Sequence, residues 1–150
     1  MPRDIPRNPW LVAAGVLSAA AALLHLGVIA GGPDWYRFFG AGEGMARMAE
    51  RGLWTPPLVT LAIAAVLAVW AAYAFAGAGL IRRLPLMRPA LVAIACVYLL
   101  RGLVLVPLLA LRPAQAGPFD YWSSLIVLAY GIFYAVGTWR AWPALSGGRR

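Results

Sequence analysis

Residues Trp10–Ala30 read WLVAAGVLSAAAALLHLGVIA, and no lysine, arginine or carboxylate interrupts them. A helix of about 20 residues rises ~30 Å, the thickness of a bilayer's hydrocarbon core. The stretch lacks the polar–apolar alternation that a barrel strand needs. It therefore reads as a membrane-crossing helix, and three further runs share its character: Leu58–Ile81, Leu91–Leu111 and Tyr121–Trp142. Punctuation falls between or after them, at Gly31-Gly32-Pro33, Pro56-Pro57, Pro85 with Pro89, Pro113 with Gly117-Pro118, and Pro143. Trp10, Trp35, Trp54, Trp122, Trp139 and Trp142 lie near the expected ends, at the depth an amphipathic ring prefers. The expected fold is an all-α membrane protein: one integral domain over 1–150, folded as an antiparallel bundle of four transmembrane helices.

Composition points the same way. The chain is 63% hydrophobic and 12% charged, with a mean hydropathy of +0.76. A soluble domain is about 45–50% apolar and about 25% charged, so this one lacks the polar groups to cover a water-exposed surface. The net charge of +8 does not indicate nucleic acid, because the arginines flank apolar spans and form no basic stripe. The single cysteine, Cys96, has no CxxC companion; neither a metal nor a redox centre is expected, and it reads as a small buried apolar residue. The first span is longer than a signal-peptide core and ends without an A-x-A-like site, so it is expected to remain on the chain.

Arginine placement predicts direction. The N-terminal tail, the second loop and the C-terminal end hold Arg3, Arg7, Arg82, Arg83, Arg88, Arg140, Arg149 and Arg150 against Asp4 alone. The opposite loops hold Arg37, Arg47, Arg51 and Arg112, balanced by Asp34, Glu43, Glu50 and Asp120. Basic residues in short loops stay in the cytoplasm, which predicts a bacterial inner-membrane protein with both termini inside and a long first periplasmic loop. That loop is expected to carry a short helix over Gly42–Arg51, with Glu43 and Arg47 paired at i, i+4 and Gly52 ending it. It either lies in the interface with snorkelling arginines or folds over the bundle mouth as a lid with Glu43 pointing inward. Small residues offer packing ridges: Ala64, Ala68, Ala72 and Ala76 in the second span, and Ala14, Ser18 and Ala22 in the first.

Arg101 sits ten residues from each end of the third span, about 15 Å from either surface. Its charge is permanent, and an intramembrane charge costs at least about 2.5–3.5 kcal/mol at the bilayer centre. It is expected to face the bundle interior. No span interior contains an acid, so the candidate companions are the phenols of Tyr98, Tyr73, Tyr130 and Tyr134, the indole of Trp70, His25, and Glu43, Asp34 or Asp120 dipping in from a loop. His25 lacks the companions that a metal or haem would need.

Four helices in about 150 residues, with GAGEG (Gly40–Gly44) and GAG (Gly77–Gly79) at span ends, resemble the small bacterial DoxX-like and DUF4345-like membrane proteins. The resemblance implies the four-helix layout and carries no site residue. Small multidrug exporters need a carboxylate in the first span and balanced loop charge, and this chain has neither. The leading functional expectation is a non-enzymatic protein binding a lipid or quinone-like amphipathic ligand in an intrabundle pocket, through Arg101, Tyr98, His25, Tyr73, Tyr130, Tyr134 and Glu43, without a cofactor. The alternatives are an accessory subunit docking its alanine ridges on a larger membrane complex or a second copy, and a membrane enzyme using His25 and Glu43 for proton transfer.

Overall fold

Asn8 starts the first helix. Its Oδ1 accepts from the backbone N–H groups of Trp10 and Leu11 at 3.2 and 3.4 Å, which caps the otherwise orphaned first turn. The computed structural model describes residues 7–111, 114 and 117–146; Arg3, Asp4, Arg112, Arg149 and Arg150, all used in the charge count above, lie outside them. All regular elements among the described residues are helices: α1 (Pro9–Gly31), α2 (Pro33–Phe38), α3 (Glu43–Glu50), α4 (Thr55–Gly77), α5 (Met87–Leu103), α6 (Leu105–Leu111) and α7 (Pro118–Ser146). Four stretches are long and apolar enough to cross a membrane: Pro9–Gly31, Thr55–Gly77, Met87–Leu111 and Pro118–Leu145.

Helix ends follow local chemistry. Pro56 and Pro57 occupy the first turn of α4, where a missing N–H leaves nothing unpaired. The same helix stops at Gly77, short of the expected Ile81, because Gly79 takes the left-handed conformation (φ 78°). Its N–H then reaches Ala76 O at 3.1 Å and that of Leu80 reaches Phe75 O at 2.9 Å, closing the orphan carbonyls in a Schellman motif. Gly52 ends α3 in the same way, through Leu53 N–H to Met48 O at 3.0 Å, as the sequence led us to expect. The third span breaks at Val104, between α5 and α6, because Pro107 has no N–H for the Leu103 carbonyl and its ring crowds that oxygen. By contrast, α7 runs through Pro143, past its expected end at Trp142. Arg88 Nη2 donates to Trp142 O at 3.2 Å and Arg83 Nη2 donates to Ala144 O at 2.8 Å, so two of the last carbonyls find partners on the α4–α5 loop and the first turn of α5.

The described residues fall into two compact units, one drawn from Met1–Leu17 and Trp70–Arg150, the other from Ser18–Val69. In the first unit, glycines let the backbones close in. A Cβ on Gly102 would lie 2.7 Å from Leu128 Cα, and one on Gly131 would lie 2.8 Å from the Leu99 side chain. Arg88 stacks on Trp142 at 4.5 Å, so α5 and α7 run antiparallel in one register from end to end. Fully buried Leu11 wedges against Gly77 and Gly137, and Asn8 Nδ2 donates to Gly137 O at 2.7 Å. In the second unit, Val28, Tyr36 and Ala46 form a small core with Phe39, Met45 and Ala49 around it. Thr60 Oγ1 donates to the Tyr36 hydroxyl at 3.4 Å, fastening α2 to α4.

The packed face of α4 is Thr60, Ala64, Leu67, Ala71 and Ala74, alternating steps of four and three. Of the ridge of fours expected from Ala64, Ala68, Ala72 and Ala76, Ala64 and Ala76 are buried, Ala72 is half-buried and Ala68 is exposed. Steps of four drift about 40° each round a helix, whereas alternating steps stay in line. In α1 the expected Ala14, Ser18 and Ala22 are all buried. Cys96, expected inside, is exposed on α5.

Candidate functional site

Four of the aromatic residues expected around Arg101 pack on one another in the first unit. The Tyr98 ring lies 4.9 Å from Trp70, 5.5 Å from Tyr130 and 5.4 Å from Tyr134, in edge-on and tilted arrangements that aromatic quadrupoles favour. The Tyr134 hydroxyl donates to Trp70 O at 2.9 Å. Tyr98 is 5% exposed and Tyr134 fully buried, so the cluster is a packed core in which these rings fill the space between helices. Tyr73 does not join it: its hydroxyl donates to Pro85 O at 3.2 Å, on the α4–α5 loop.

Arg101, expected to face the interior beside Tyr98, is exposed. Among the described residues its guanidinium meets no carboxylate, carbonyl or ring. The cause lies one residue away. Gly102 is pressed on the α7 backbone at Leu128, and that contact sets the rotation of α5. Tyr98 and Gly102, four apart, share the buried line with Leu91, Ile94 and Ala95. Arg101 is about 100° from Gly102 and about 60° from Tyr98, which turns it out among exposed Val97, Leu100 and Val104. Along the chain, Leu111 lies ten residues beyond it, and Leu128, opposite Gly102, is ten residues inside α7 from Pro118.

In the second unit, His25 Nδ1–H donates to Ala21 O at 2.8 Å, the intrahelical bond of a histidine satisfied by its own turn. Glu43 does not point inward. It is exposed and held by two arginines: Arg37 Nε and Nη2 donate to its Oε2 and Oε1 at 2.9 and 3.1 Å, and Arg47 Nε donates to Oε1 at 3.1 Å. Arg37 also donates to Glu50 Oε1 at 2.6 Å and Asp34 Oδ1 at 3.3 Å. Arg37 is thus the hub that ties α2 to α3, a role the sequence reading missed. Asp120 is engaged too, its Oδ2 accepting from Gly117 N–H at 2.9 Å at the start of α7. A hollow of about 260 Å³ in this unit is lined by Ile29, Tyr36, Ala49, Leu53, Trp54 and Pro57 among others, and by neither His25 nor Glu43. No cluster of three metal-ligating side chains exists among the described residues.

The network has a pH signature. Its hydrogen bonds from Arg37 and Arg47 hold the Glu43 carboxyl at about 2, against an ordinary 4.5, and the same bonds drive the Arg37 guanidinium further above its already high range. A depressed carboxylate contributes stability above its unfolded value and loses it as pH falls through the folded one. The α2–α3 pairing therefore holds at pH 5 and weakens between pH 4.5 and 2. A carbon-13 titration of Glu43 in the reconstituted protein should give a midpoint near 2; a midpoint near 4.5 would mean the arginines do not hold it. No protein-family model matches this chain, and no curated protein or solved structure shows significant similarity to it.

Proposed function

We propose that the chain is a bacterial inner-membrane protein with both termini in the cytoplasm, and that it works as an accessory subunit of a larger membrane assembly, docking through the flank of α5 that carries Arg101. The observation behind this reading is the exposed position of Arg101 about 15 Å from the nearer end of its span. A stretched arginine side chain covers less than half that distance, and guanidinium does not deprotonate. Intramembrane charges pair with one another or with backbone carbonyls. The acids among the described residues are committed elsewhere: Asp34, Glu43 and Glu50 to Arg37, and Asp120 to the start of α7. A helix of another subunit, carrying a carboxylate at the same depth, meets the need, and exposed Val97, Leu100 and Val104 offer it an apolar seat.

The ligand-pocket reading has less support, because the phenols it would use are packed together and Arg101 points away from them. The proton-transfer reading has less still, since Glu43 is neutralised by two arginines. Native mass spectrometry of gently solubilised membranes tests the subunit reading. The wild-type chain and Arg101→Lys should emerge bound to a partner, and Arg101→Leu should emerge without it. If wild type and Arg101→Leu both run as the same free chain in the mildest detergents, the reading fails.

A further inference from the structure

A groove of about 570 Å³ runs along the first turns of α1, lined by Arg7, Pro9, Val12, Ala13, Val16 and Leu17 and closed on one side by Phe133 of α7. Its volume lies within the range of about 300–1,000 Å³ usual for ligand sites. From Pro9 to Leu17 it covers about 12 Å of helix, which keeps it within one leaflet of a core ~30 Å thick. The floor is apolar and the mouth is cationic. Arg7 opens the groove, and Arg140 lies beside it, its guanidinium 5.5 Å above the Trp10 ring, while Trp10 packs on Phe133 at 5.4 Å. Phe133 and Arg140, seven residues apart, share a face of α7. Both arginines are exposed, and among the described residues the only arginines in ion pairs are Arg37 and Arg47. Tryptophan beside them marks the headgroup level.

An apolar slot under two guanidinium groups that meet no carboxylate among the described residues suits a ligand with an anionic head and an apolar tail. We propose that this groove binds one anionic phospholipid, its phosphate on Arg7 and Arg140 and an acyl chain along Val12, Val16, Leu17 and Phe133. The site is separate from the Arg101 flank and does not depend on the subunit reading. Basic pockets between membrane helices hold anionic headgroups through attraction that falls off within a Debye length, so the headgroup, not the tail, sets the selectivity.

Native mass spectrometry of the delipidated full-length protein, titrated with dioleoyl phosphatidylglycerol or dioleoyl phosphatidylcholine, tests this. In wild type the first phosphatidylglycerol should bind at least about tenfold more tightly than the first phosphatidylcholine. The double variant Arg7→Gln/Arg140→Gln should bring the two lipids to parity, while Arg82→Gln/Arg83→Gln keeps the preference. Val16→Trp fills the slot with both arginines in place and should remove the tight first site; Val16 is 54% exposed, so the bulk is tolerated by the core. Equal affinities in wild type, an undiminished preference in the Arg7/Arg140 variant, or unchanged binding by Val16→Trp would each overturn the proposal.

Discussion

Gly102→Leu is expected to separate α5 from α7 and to lower stability by about 3 kcal/mol or more, at the upper end of what overpacking does. The side chain has nowhere to go. Its Cβ would lie 2.7 Å from Leu128 Cα and 2.8 Å from Leu128 N, and backbone atoms cannot swing aside as a side-chain terminus can. Either the two helices part, exposing the Leu99–Gly131 contact one turn away, or the variant does not assemble. Gly102→Ala should cost less, about 1–3 kcal/mol. Gly131→Ala should cost a similar amount, because its Cβ would meet Leu99 N at 2.9 Å. The double alanine variant should fall short of the sum, since one separation of α5 from α7 relieves both clashes. Leu100→Ala, on the exposed side of α5, is the control and should leave the melting midpoint in dodecyl maltoside unchanged. A Gly102→Leu protein that melts with wild type would show that α5 and α7 do not approach as described.

That contact also explains which parts of the molecule could be read in advance. Hydropathy is a property of consecutive residues, so the four spans were legible, and so was the small-residue face of α1 through Ala14, Ser18 and Ala22. The end of α3 at Gly52 was legible, whereas the end of α4 at Gly77 was missed although Gly79 beside it is a local signal. The last turn of α7, around Pro143, has carbonyls at Trp142 and Ala144 that accept from Arg88 and Arg83, more than fifty residues away. The Glu43–Arg47 pair followed from its spacing. The Arg37–Glu50 bond, thirteen residues apart, depends on the left-handed turn at Gly40 and Gly42 (φ 72° and 91°), which no spacing rule reports. Spacing names Tyr98, Tyr73, Tyr130, Tyr134 and Trp70 as companions of Arg101, but it does not show that four of these rings pack on one another while Tyr73 turns to Pro85, and reading residues three apart as one face puts Arg101 among them. Buried faces here are narrow, and the residue that decides the rotation of α5 is a glycine without a side chain to be noticed.

The side on which Arg101 lies determines the sign of a second experiment. Leucine is favourable at the centre of a membrane helix by about 0.3–0.6 kcal/mol, and arginine unfavourable by about 2.5–3.5. With Arg101 exposed and unpaired among the described residues, Arg101→Leu is expected to improve insertion of the third span by about 3 kcal/mol, roughly a hundredfold or more in the inserted fraction, and to raise the melting midpoint of the isolated protein. Were the guanidinium instead buried against an acid or the tyrosines, the same change would abandon its partner and destabilise by about 3–5 kcal/mol. A glycosylation-tagged insertion assay and a melting curve together distinguish the two. The expected outcome, a hardier isolated chain that no longer enters its assembly, separates stability from function at one residue. A fall in both insertion and melting midpoint would return Arg101 to the interior and remove the reason for a partner at that depth.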